Sequence, residues 1–349
     1  MLSSFASELR VPLALLLARC SCPSAAALAA ESPPPRSAPH FTDIAVNLTD
    51  PMFQGVYRDK ALHAPDLIAV LRRALAANVR RLVITGTDLE DSRRALALAR
   101  EVNGSGAVPG LRLFSTVGVH PTRTVGLEPP VSAPAVEAAL LALARDGMRD
   151  GTVVMVGEAG LDLDRLHFSS EAVQARHFPL HLRLARATGL PLLLHDRATG
   201  GGLLRLIASH GGLPPAGGVV HSFTGTAADV AAYVALPGLY IGLNGCGLKT
   251  AGSLEAAAHI PLERLLLESD APWCGIKGTS AARALLKTPP PPAVDAKKWA
   301  AGAAVKDRNE PASVVHVAEA VAALTRVSVE RVAAATERNV DALLFGGRG

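Results

Sequence analysis

Short apolar runs rich in valine, isoleucine and leucine alternate along this chain with longer segments in which apolar residues recur every three or four positions. The short runs are typical of buried strands, and the three- and four-residue spacing is typical of amphipathic helices. Helices are predicted between the strands, among them 64–77, 90–102, 136–149 and 171–188. The eight predicted strands are Thr42–Asn47, Arg81–Thr85, Phe114–Val119, Thr152–Gly157, Leu190–His195, Gly218–Ser222, Leu239–Leu243 and Arg264–Glu268.

Alternation of strand and helix at this spacing predicts parallel strands joined by right-handed crossovers. Eight such units favour a closed (β/α)8 TIM barrel, and the main alternative is an open, doubly wound sheet. No dinucleotide-binding glycine fingerprint and no P-loop lysine motif follows a predicted strand. The glycines at Gly200–Gly202 also lack a helix-opening fingerprint. We therefore expect a barrel that occupies residues 41–349.

The first 40 residues differ from the rest, with clusters of serine, alanine and proline around the short apolar run Val11–Ala18. Pro33–Pro35 would end any helix that reached this far. A transit peptide and a disordered extension fit this leader equally well. None of the four cysteines belongs to a CxxC pair, which favours a reducing compartment. We expect an intracellular protein, either cytoplasmic or nuclear, or organellar (mitochondrion or plastid) if residues 1–40 are a transit peptide.

The composition excludes two classes of protein. Of the 349 residues, 49% are hydrophobic and 19% are charged, which rules out a disordered chain. No apolar run reaches the roughly 18 residues of a membrane span, which rules out an integral membrane protein.

The net charge of +4 is mild, but an insertion at 271–310 holds seven basic and three acidic residues and a proline run at 289–292. We expect this insertion to hang over the catalytic face and to guide a polyanion.

Potential metal ligands stand at the carboxyl ends of several predicted strands, where barrel enzymes carry their chemistry. Glu158 follows the fourth strand, His195 ends the fifth, His221 lies in the sixth, and Asp270 comes just after the eighth. Two imidazoles and two carboxylates around one cavity suit Zn²⁺, Mn²⁺ or Mg²⁺. A bridging carboxylate would allow two ions, roughly 4 Å apart, to activate water against a phosphodiester. The alternative is a polar plug that closes the barrel mouth.

A series of short motifs runs through the body of the chain, from Phe41 to Phe345. They are Asp43–Asp50, Ile84–Gly86, Thr116–Pro121, Val156–Asp162, Leu194–Arg197, Val220–Gly225, Ile241–Gly245, Glu268–Trp273 and Arg308–Pro311. In this order they resemble the TatD family of metal-dependent deoxyribonucleases, and within it the eukaryotic TatD domain-containing branch. The resemblance implies an amidohydrolase-like barrel and a nuclease with 3′–5′ exonuclease action, which hydrolyses DNA with a metal-activated water.

The resemblance also implies roles for the strand-end residues. Glu158 matches the family's bridging carboxylate, His195 and His221 match its histidine ligands, and Asp270 matches the last-strand aspartate that would also orient or deprotonate the attacking water. We therefore expect one or two divalent ions of Mg²⁺, Mn²⁺ or Zn²⁺ per chain, with Glu158 and Asp270 as the catalytic carboxylates.

Four positions depart from the family pattern, one of them Ala159, which stands where the family usually carries a cysteine. Ala45 and Asn47 stand where many members carry a His-x-His pair, which weakens one metal position. Asp196 replaces a cysteine after the first histidine, and an extra carboxylate beside His195 is expected to alter the metal preference.

Four further residues are predicted to contact substrate, each with a plainer alternative. His120 lies in the family's Gly-x-His-Pro motif. It is either a hydrogen-bond donor to a substrate phosphate or a structural loop histidine. Arg197 and Arg308 are candidates for gripping a phosphate, or for pairing with nearby acidic residues. Trp273 is a candidate for stacking on a base, or for packing.

The leading hypothesis is a divalent-metal deoxyribonuclease that acts on DNA ends. One alternative is a metal-dependent amidohydrolase or esterase for a small substrate, because a fold does not determine its substrate. Another is a catalytically quiet scaffold that binds nucleic acid or protein. We expect DNA as the partner, no membrane, and a monomer or weak oligomer.

Overall fold

The structure, a computed structural model, describes residues 39–346. Its main sheet contains eight strands in the order of the sequence, and all of the pairings within it are parallel. The strands are β1 Phe41–Val46, β2 Val79–Ile84, β3 Arg112–Val117, β4 Val153–Asp162, β5 Leu192–Arg197, β6 Gly218–His221, β7 Leu239–Leu243 and β8 Leu265–Leu267. Each predicted strand is present, and β4 extends five residues beyond its predicted end.

The sheet closes on itself just beyond β8. The backbone N–H of Asp270 donates to the carbonyl oxygen of Ala45 at 3.0 Å, and the N–H of Asn47 donates to that of Ala271 at 2.8 Å. The loop that follows β8 is therefore hydrogen-bonded to β1. This closure confirms the predicted TIM barrel and excludes the open sheet, whose edge strands would stay apart.

Helices cover the outside of the barrel. Within residues 39–346 they are α1 Leu67–Ala76, α2 Leu89–Ser105, α3 Ala133–Arg149, α4 Glu171–His177, α5 Pro179–Thr188, α6 Gly202–Ser209, α7 Ala227–Val234, α8 Ala251–Ala258, α9 Val314–Thr325 and α10 Val329–Val340. The four predicted helical segments are confirmed, but 171–188 is two helices. Pro179 begins α5 because proline has no N–H to continue α4.

The barrel interior is apolar in its lower part. Each strand points a side chain inward, and the buried ones include Ile44, Val83, Phe114, Val154, Leu193, Val219 and Leu266. Residues after α10 close the amino-terminal end of the barrel, where Leu343 and Leu344 pack against this layer. Only the carboxyl-terminal end is left open for polar chemistry.

Strand β4 carries a bulge beside the open end. Val156 pairs with Leu192 and Ala159 with Leu194, so three steps along β4 match two along β5. Gly160 lies just beyond the bulge, paired with His195, and has φ +153°; a Cβ atom there would lie 1.9 Å from the carbonyl oxygen of His195. Glycine is therefore required here, because any side chain would separate the two strands.

The insertion at 271–310 reaches the open end only at its start, where Trp273 and Cys274 line the cavity, and the rest does not hang over it as expected. The carboxylate of Glu319 in α9 accepts the backbone N–H groups of Lys287 and Thr288, at 2.9 and 3.0 Å. The following Pro289–Pro291 run lines a groove on the outer surface, beside His316 and Phe41. In the described part of the chain, none of the insertion's seven basic residues lines the cavity at the carboxyl end. The expectation of a basic loop over the site is therefore wrong.

Within residues 39–346, no single helix is long and apolar enough to cross a membrane. One pair of helical segments, Pro311–Thr325 and Val329–Phe345, reaches the required length and composition when the two are taken together. The pair is bent by 111° between its segments. The predicted leader lies outside the described residues.

Candidate metal centre

The polar residues of the open end lie directly above the apolar layer. Side chains two positions apart on a strand point to the same face, so His195 stands above Leu193 and His221 above Val219. His195 and His221 are also direct partners in the β5–β6 register. The alternation that fills the barrel with aliphatic side chains therefore also places two imidazoles side by side at its mouth.

One carboxylate oxygen of Glu158 lies at the centre of this group. Its Oε1 atom is 2.7 Å from Nδ1 of His195 and 2.7 Å from Nε2 of His221. Glu158 and both histidines are at most 5% exposed. A carboxylate oxygen and an unprotonated ring nitrogen both carry lone pairs, so they repel each other at this distance. Protons on the rings or a bound cation between the oxygen and the nitrogens would make the contacts favourable.

His120 also belongs to this group. Its Nε2 atom is 3.2 Å from Glu158 Oε1, and its ring meets that of His195 edge-on with centroids 4.7 Å apart. His120, Glu158 and His195 have ligand atoms within 4.8 Å of one another, close enough to hold one metal ion. The sequence predicted a substrate contact for His120, whereas the geometry makes it a candidate ligand.

Two buried carboxylates face the outer ring nitrogens of the histidines, and only the one of Asp162 lies within hydrogen-bond distance. Asp162 Oδ2 lies 3.1 Å from Nε2 of His195, and Glu268 Oε2 lies 3.6 Å from Nδ1 of His221. Glu268 itself accepts hydrogen bonds from the Ser222 N–H at 2.5 Å and from Asn244 Nδ2 at 2.9 Å. Metal-ligating histidines commonly have such carboxylate partners on the opposite ring nitrogen.

Glu268 was expected only as one of the potential metal ligands where the eighth strand ends, and no role was predicted for Asp162, although both residues lie within the motifs given above. Asp162 is four positions after Glu158, but the fourth strand was predicted to end at Gly157, so no strand spacing related the two residues.

The electrostatics of the group follow from its burial and its mixed charges. Burial alone would raise the pKa of Glu158, but the facing rings of His221 and His120 outweigh it and hold that pKa well below its usual value. Burial alone would lower the pKa of His221, but Glu158 and Glu268 outweigh it and raise that pKa well above its usual value. The pKa of His120 is lowered, because burial outweighs the attraction of Glu158. The centre thus stabilises an anionic carboxylate that faces positive charge.

Asp270 lies at the rim of the same cavity, in the turn after β8. Its backbone is left-handed, with φ +51°, and its carboxylate accepts hydrogen bonds from Asn47 Nδ2 at 2.9 Å and from the Cys274 thiol at 3.2 Å. Burial raises the pKa of Asp270. Asn47 therefore positions the Asp270 carboxylate, a contact that was not predicted from the sequence.

The cavity above the group has a volume of about 720 Å³, within the usual range of ligand pockets. Four arginines line it, and three of them pair with acidic residues: Arg94 with Asp91, Arg123 with Asp88, and Arg165 with Asp162.

The fourth cavity arginine and a tryptophan remain available to a ligand. Within residues 39–346, the guanidinium of Arg197 has no ion pair, and it is half-buried in the cavity wall. Trp273 also lines the wall and is 50% exposed. Both placements are compatible with the predicted substrate contacts.

Arg308 lies elsewhere. Its side chain is fully inaccessible, and its terminal nitrogens lie 2.7 and 2.6 Å from the two oxygens of Asp66 and 3.1 Å from Glu310. It does not line the cavity. The prediction that Arg308 grips a phosphate is therefore wrong, because the guanidinium is already engaged in a buried ion pair.

Asp196 also turns away from the centre. Its two oxygens accept hydrogen bonds from Thr199 Oγ1 at 2.5 Å and from the Tyr233 hydroxyl at 2.7 Å. The expected influence of this extra carboxylate on the metal has no support in the geometry.

A buried histidine fixes the loop that carries His120. His181 Nε2 accepts the backbone N–H of Val119 at 2.9 Å, and its Nδ1 faces the Phe178 carbonyl. The ring must therefore be neutral in the folded protein. Burial lowers the pKa of His181 from 6.5 to about 4.

This histidine makes the folded protein sensitive to acid. Below pH 6.5, His181 binds a proton in the unfolded chain but stays neutral in the folded protein. The free energy of unfolding should therefore fall as the pH drops from 6.5 to about 4. The contribution is about 3 kcal/mol. Urea unfolding across this range should show a flatter pH dependence for His181→Gln than for the exposed-site control His259→Gln. Equal slopes for the two variants would contradict this account.

Comparisons with known proteins agree with this geometry. The profile of a family described as TatD related DNase matches residues 42–345. A protein named deoxyribonuclease Tat-D from Schizosaccharomyces pombe is 39% identical over 84% of this chain and 91% of its own length. A 3′-5′ ssDNA/RNA exonuclease TatD from Escherichia fergusonii is 33% identical over 87% of this chain and 98% of its own.

A solved structure shows the same fold. The crystal structure of a hydrolase TatD family protein from Entamoeba histolytica superposes with a TM-score of 0.80 at 32% identity. The match covers 88% of this chain and 99% of that protein.

Proposed function

This chain belongs to the family of TatD-related DNases, and we propose that it is a divalent-metal-dependent deoxyribonuclease that hydrolyses phosphodiester bonds at DNA ends. The observation that carries the proposal is the convergence of His195, His221 and His120 on one buried oxygen of Glu158. This donor set suits a divalent cation, and it lies at the floor of a cavity that also holds a carboxylate and an unpaired guanidinium.

The donor set favours a transition metal. Glu158 Oε1 together with the nitrogens of His120, His195 and His221 is a nitrogen-rich set. Imidazole suits Zn²⁺, whereas Mg²⁺ prefers carboxylate, carbonyl and water oxygens. We therefore propose Zn²⁺ as the better fit for this group, with Asp270 as a further ligand that would complete one site or contribute to a second.

A bound divalent ion would supply Lewis acidity for the phosphoryl oxygens and would lower the pKa of water. The chain's own residues supply the rest. Asp162 accepts a hydrogen bond from the His195 ring, and the Glu268 carboxylate faces the His221 ring at 3.6 Å, so the two would favour the ring orientations seen here. The Asp270 carboxylate, positioned by Asn47, would orient the attacking water and accept its proton. Arg197 would contact the scissile or neighbouring phosphate, and Trp273 would stack on a base.

The direction of cleavage and the type of nucleic acid are finer proposals. The relative from Escherichia fergusonii is named a 3′-5′ ssDNA/RNA exonuclease. We propose the same polarity here from this likeness, and exonuclease action because the cavity is the size of a ligand pocket and has aromatic and cationic walls suited to a terminal nucleotide. RNA belongs among the substrates tested.

Removal of metal provides the first test. Purified full-length protein treated with a chelator should lose cleavage of 3′-labelled and 5′-labelled single-stranded DNA, and added Zn²⁺ should restore it more effectively than Mg²⁺. Release of mononucleotides from the 3′ end would support exonuclease action. Cleavage that survives chelation would overturn the proposed function.

The two alternatives predict other outcomes in the same assay. An amidohydrolase or esterase would cleave neutral amide, lactone or ester substrates in preference to DNA. A catalytically quiet scaffold would bind single-stranded DNA without cleaving it under any metal condition.

A further inference from the structure

Two thiols meet at the edge of the candidate metal centre. Cys246 lies in the short 3₁₀ helix Gly245–Leu248 after β7, and Cys274 lies four residues after Asp270 in the turn after β8. Their Sγ atoms are 2.8 Å apart, and both residues are half-buried. A disulfide bond is about 2.05 Å long, so a small movement of the side chains would join the two sulfurs.

Contacts that do not involve sulfur hold the two turns together. The side chain of Asn244 accepts the Cys246 N–H at 2.9 Å, and the same side chain donates to Glu268. Gly245 packs directly on the other turn, since a Cβ atom there would lie 2.3 Å from the carbonyl oxygen of Cys274. The framework of the barrel thus imposes the approach of the sulfurs.

Cys274 connects this thiol pair to the site. Its S–H group donates to Asp270 Oδ2 at 3.2 Å, while Asn47 donates to the other oxygen. The backbones of Cys274 and Asp270 are both left-handed, with φ +55° and +51°. Non-glycine residues in this conformation are strained and occur often at functional sites. Any change in the bonding of the Cys274 sulfur would therefore reach the Asp270 carboxylate directly.

We propose that Cys246 and Cys274 form a reversible disulfide that switches off the metal centre under oxidising conditions. Formation of the bond withdraws the thiol donor from Asp270 Oδ2 and leaves that carboxylate held by Asn47. The effect on DNA cleavage rests on the proposed function, whereas formation of the disulfide and its effect on metal binding do not.

Hydrogen peroxide is a sufficient oxidant. One sulfur attacks the peroxide, the O–O bond breaks, and a sulfenic acid and one water result. The second sulfur then displaces the sulfenic oxygen, which leaves as a second water, and the S–S bond forms. Two thiols lose two electrons in total, and one peroxide gains them. A dithiol reductant reverses the reaction by thiol–disulfide exchange.

The test uses the full chain with Cys20→Ser and Cys22→Ser, so that the leader thiols do not react. After peroxide treatment and alkylation, peptide mass spectrometry should find Cys246 joined to Cys274 with the loss of two hydrogen atoms. Mn²⁺ affinity, measured by calorimetry, and DNA cleavage should each fall about 10- to 100-fold, as when an outer partner of a metal ligand is lost. Dithiothreitol should restore both.

Cys246→Ser is the matched control, because Cys246 does not contact Asp270. It should bind Mn²⁺ and cleave DNA like the reduced parent and should resist peroxide. Cys246→Ala serves the same purpose if the serine variant fails to fold, as judged by circular dichroism.

Three results would overturn the proposal. They are the absence of the cross-linked peptide, a cross-link that changes neither Mn²⁺ affinity nor cleavage, and a stoichiometric zinc ion held by the two thiols and lost in Cys246→Ser. If the reduced protein does not cleave DNA, the proposed function fails, and Mn²⁺ affinity still decides whether the switch exists.

Discussion

Glu158→Gln is expected to abolish metal-dependent DNA cleavage while the protein remains folded. Glutamine preserves the shape of the side chain but removes the negative charge on which His195, His221 and His120 converge. A divalent ion contributes several kcal/mol of transition-state stabilisation. The loss of about 4 kcal/mol corresponds to a rate roughly a thousand-fold lower. Steady-state cleavage with saturating Mn²⁺ measures this effect, and calorimetry should show weaker Mn²⁺ binding.

Glu255→Gln is the charge-matched control. Glu255 is exposed on α8 and does not line the cavity, so its replacement should leave cleavage and Mn²⁺ affinity unchanged. If Glu158→Gln retains the parent's rate with a normal circular dichroism spectrum, the histidine–glutamate group is not the catalytic centre.

Arg308→Ala and Arg197→Ala are expected to separate stability from substrate binding. Removal of Arg308 leaves the buried carboxylate of Asp66 without its main partner, whereas Glu310 keeps its contacts with Arg73. Breaking a buried ion pair in this way costs about 3–5 kcal/mol. The free energy of unfolding in urea should therefore fall by this amount, while the KM of the remaining folded enzyme for DNA stays near that of the parent.

Arg197→Ala should have the opposite effect. Its guanidinium lines the cavity and has no ion pair within residues 39–346, so its loss should change stability little. A hydrogen bond to a charged group contributes about 1.5–3 kcal/mol, which corresponds to a KM for DNA about 10- to 100-fold higher. Arg338→Ala, at an exposed position on α10, is the control for loss of an arginine elsewhere. A raised KM for DNA in Arg308→Ala, with an unchanged free energy of unfolding, would contradict the assignment of Arg308 to stability and of substrate binding to Arg197 in its place.

Periodicity was sufficient for the fold and for part of the site. Alternating side chains on parallel strands made His195 and His221 inward-facing neighbours at the same end of the barrel as soon as the strands were identified. Glu158 was also correctly expected at this end. Each inference uses only local spacing and the rule that parallel strands share one carboxyl edge.

Local spacing did not reveal which loop residues complete the group. His120 lies outside the regular strands, and its ring reaches Glu158 because His181, 62 residues away in the sequence, holds the Val119 backbone. The bulge in β4 also changes which residues of that strand face β5, so Asp162 reaches His195 at a position that regular pairing would not predict.

The sequence by itself determined the barrel, its order of strands and the clustering of ligand-type residues at the carboxyl end. Tertiary structure alone decided the use of each arginine and cysteine. Arg308 and Asp66 are 242 residues apart, and Cys246 and Cys274 belong to turns after different strands. Charged and thiol residues do not recur along the sequence with the period of a strand or helix. Their roles depend on the partner that the closed barrel brings within a few ångströms.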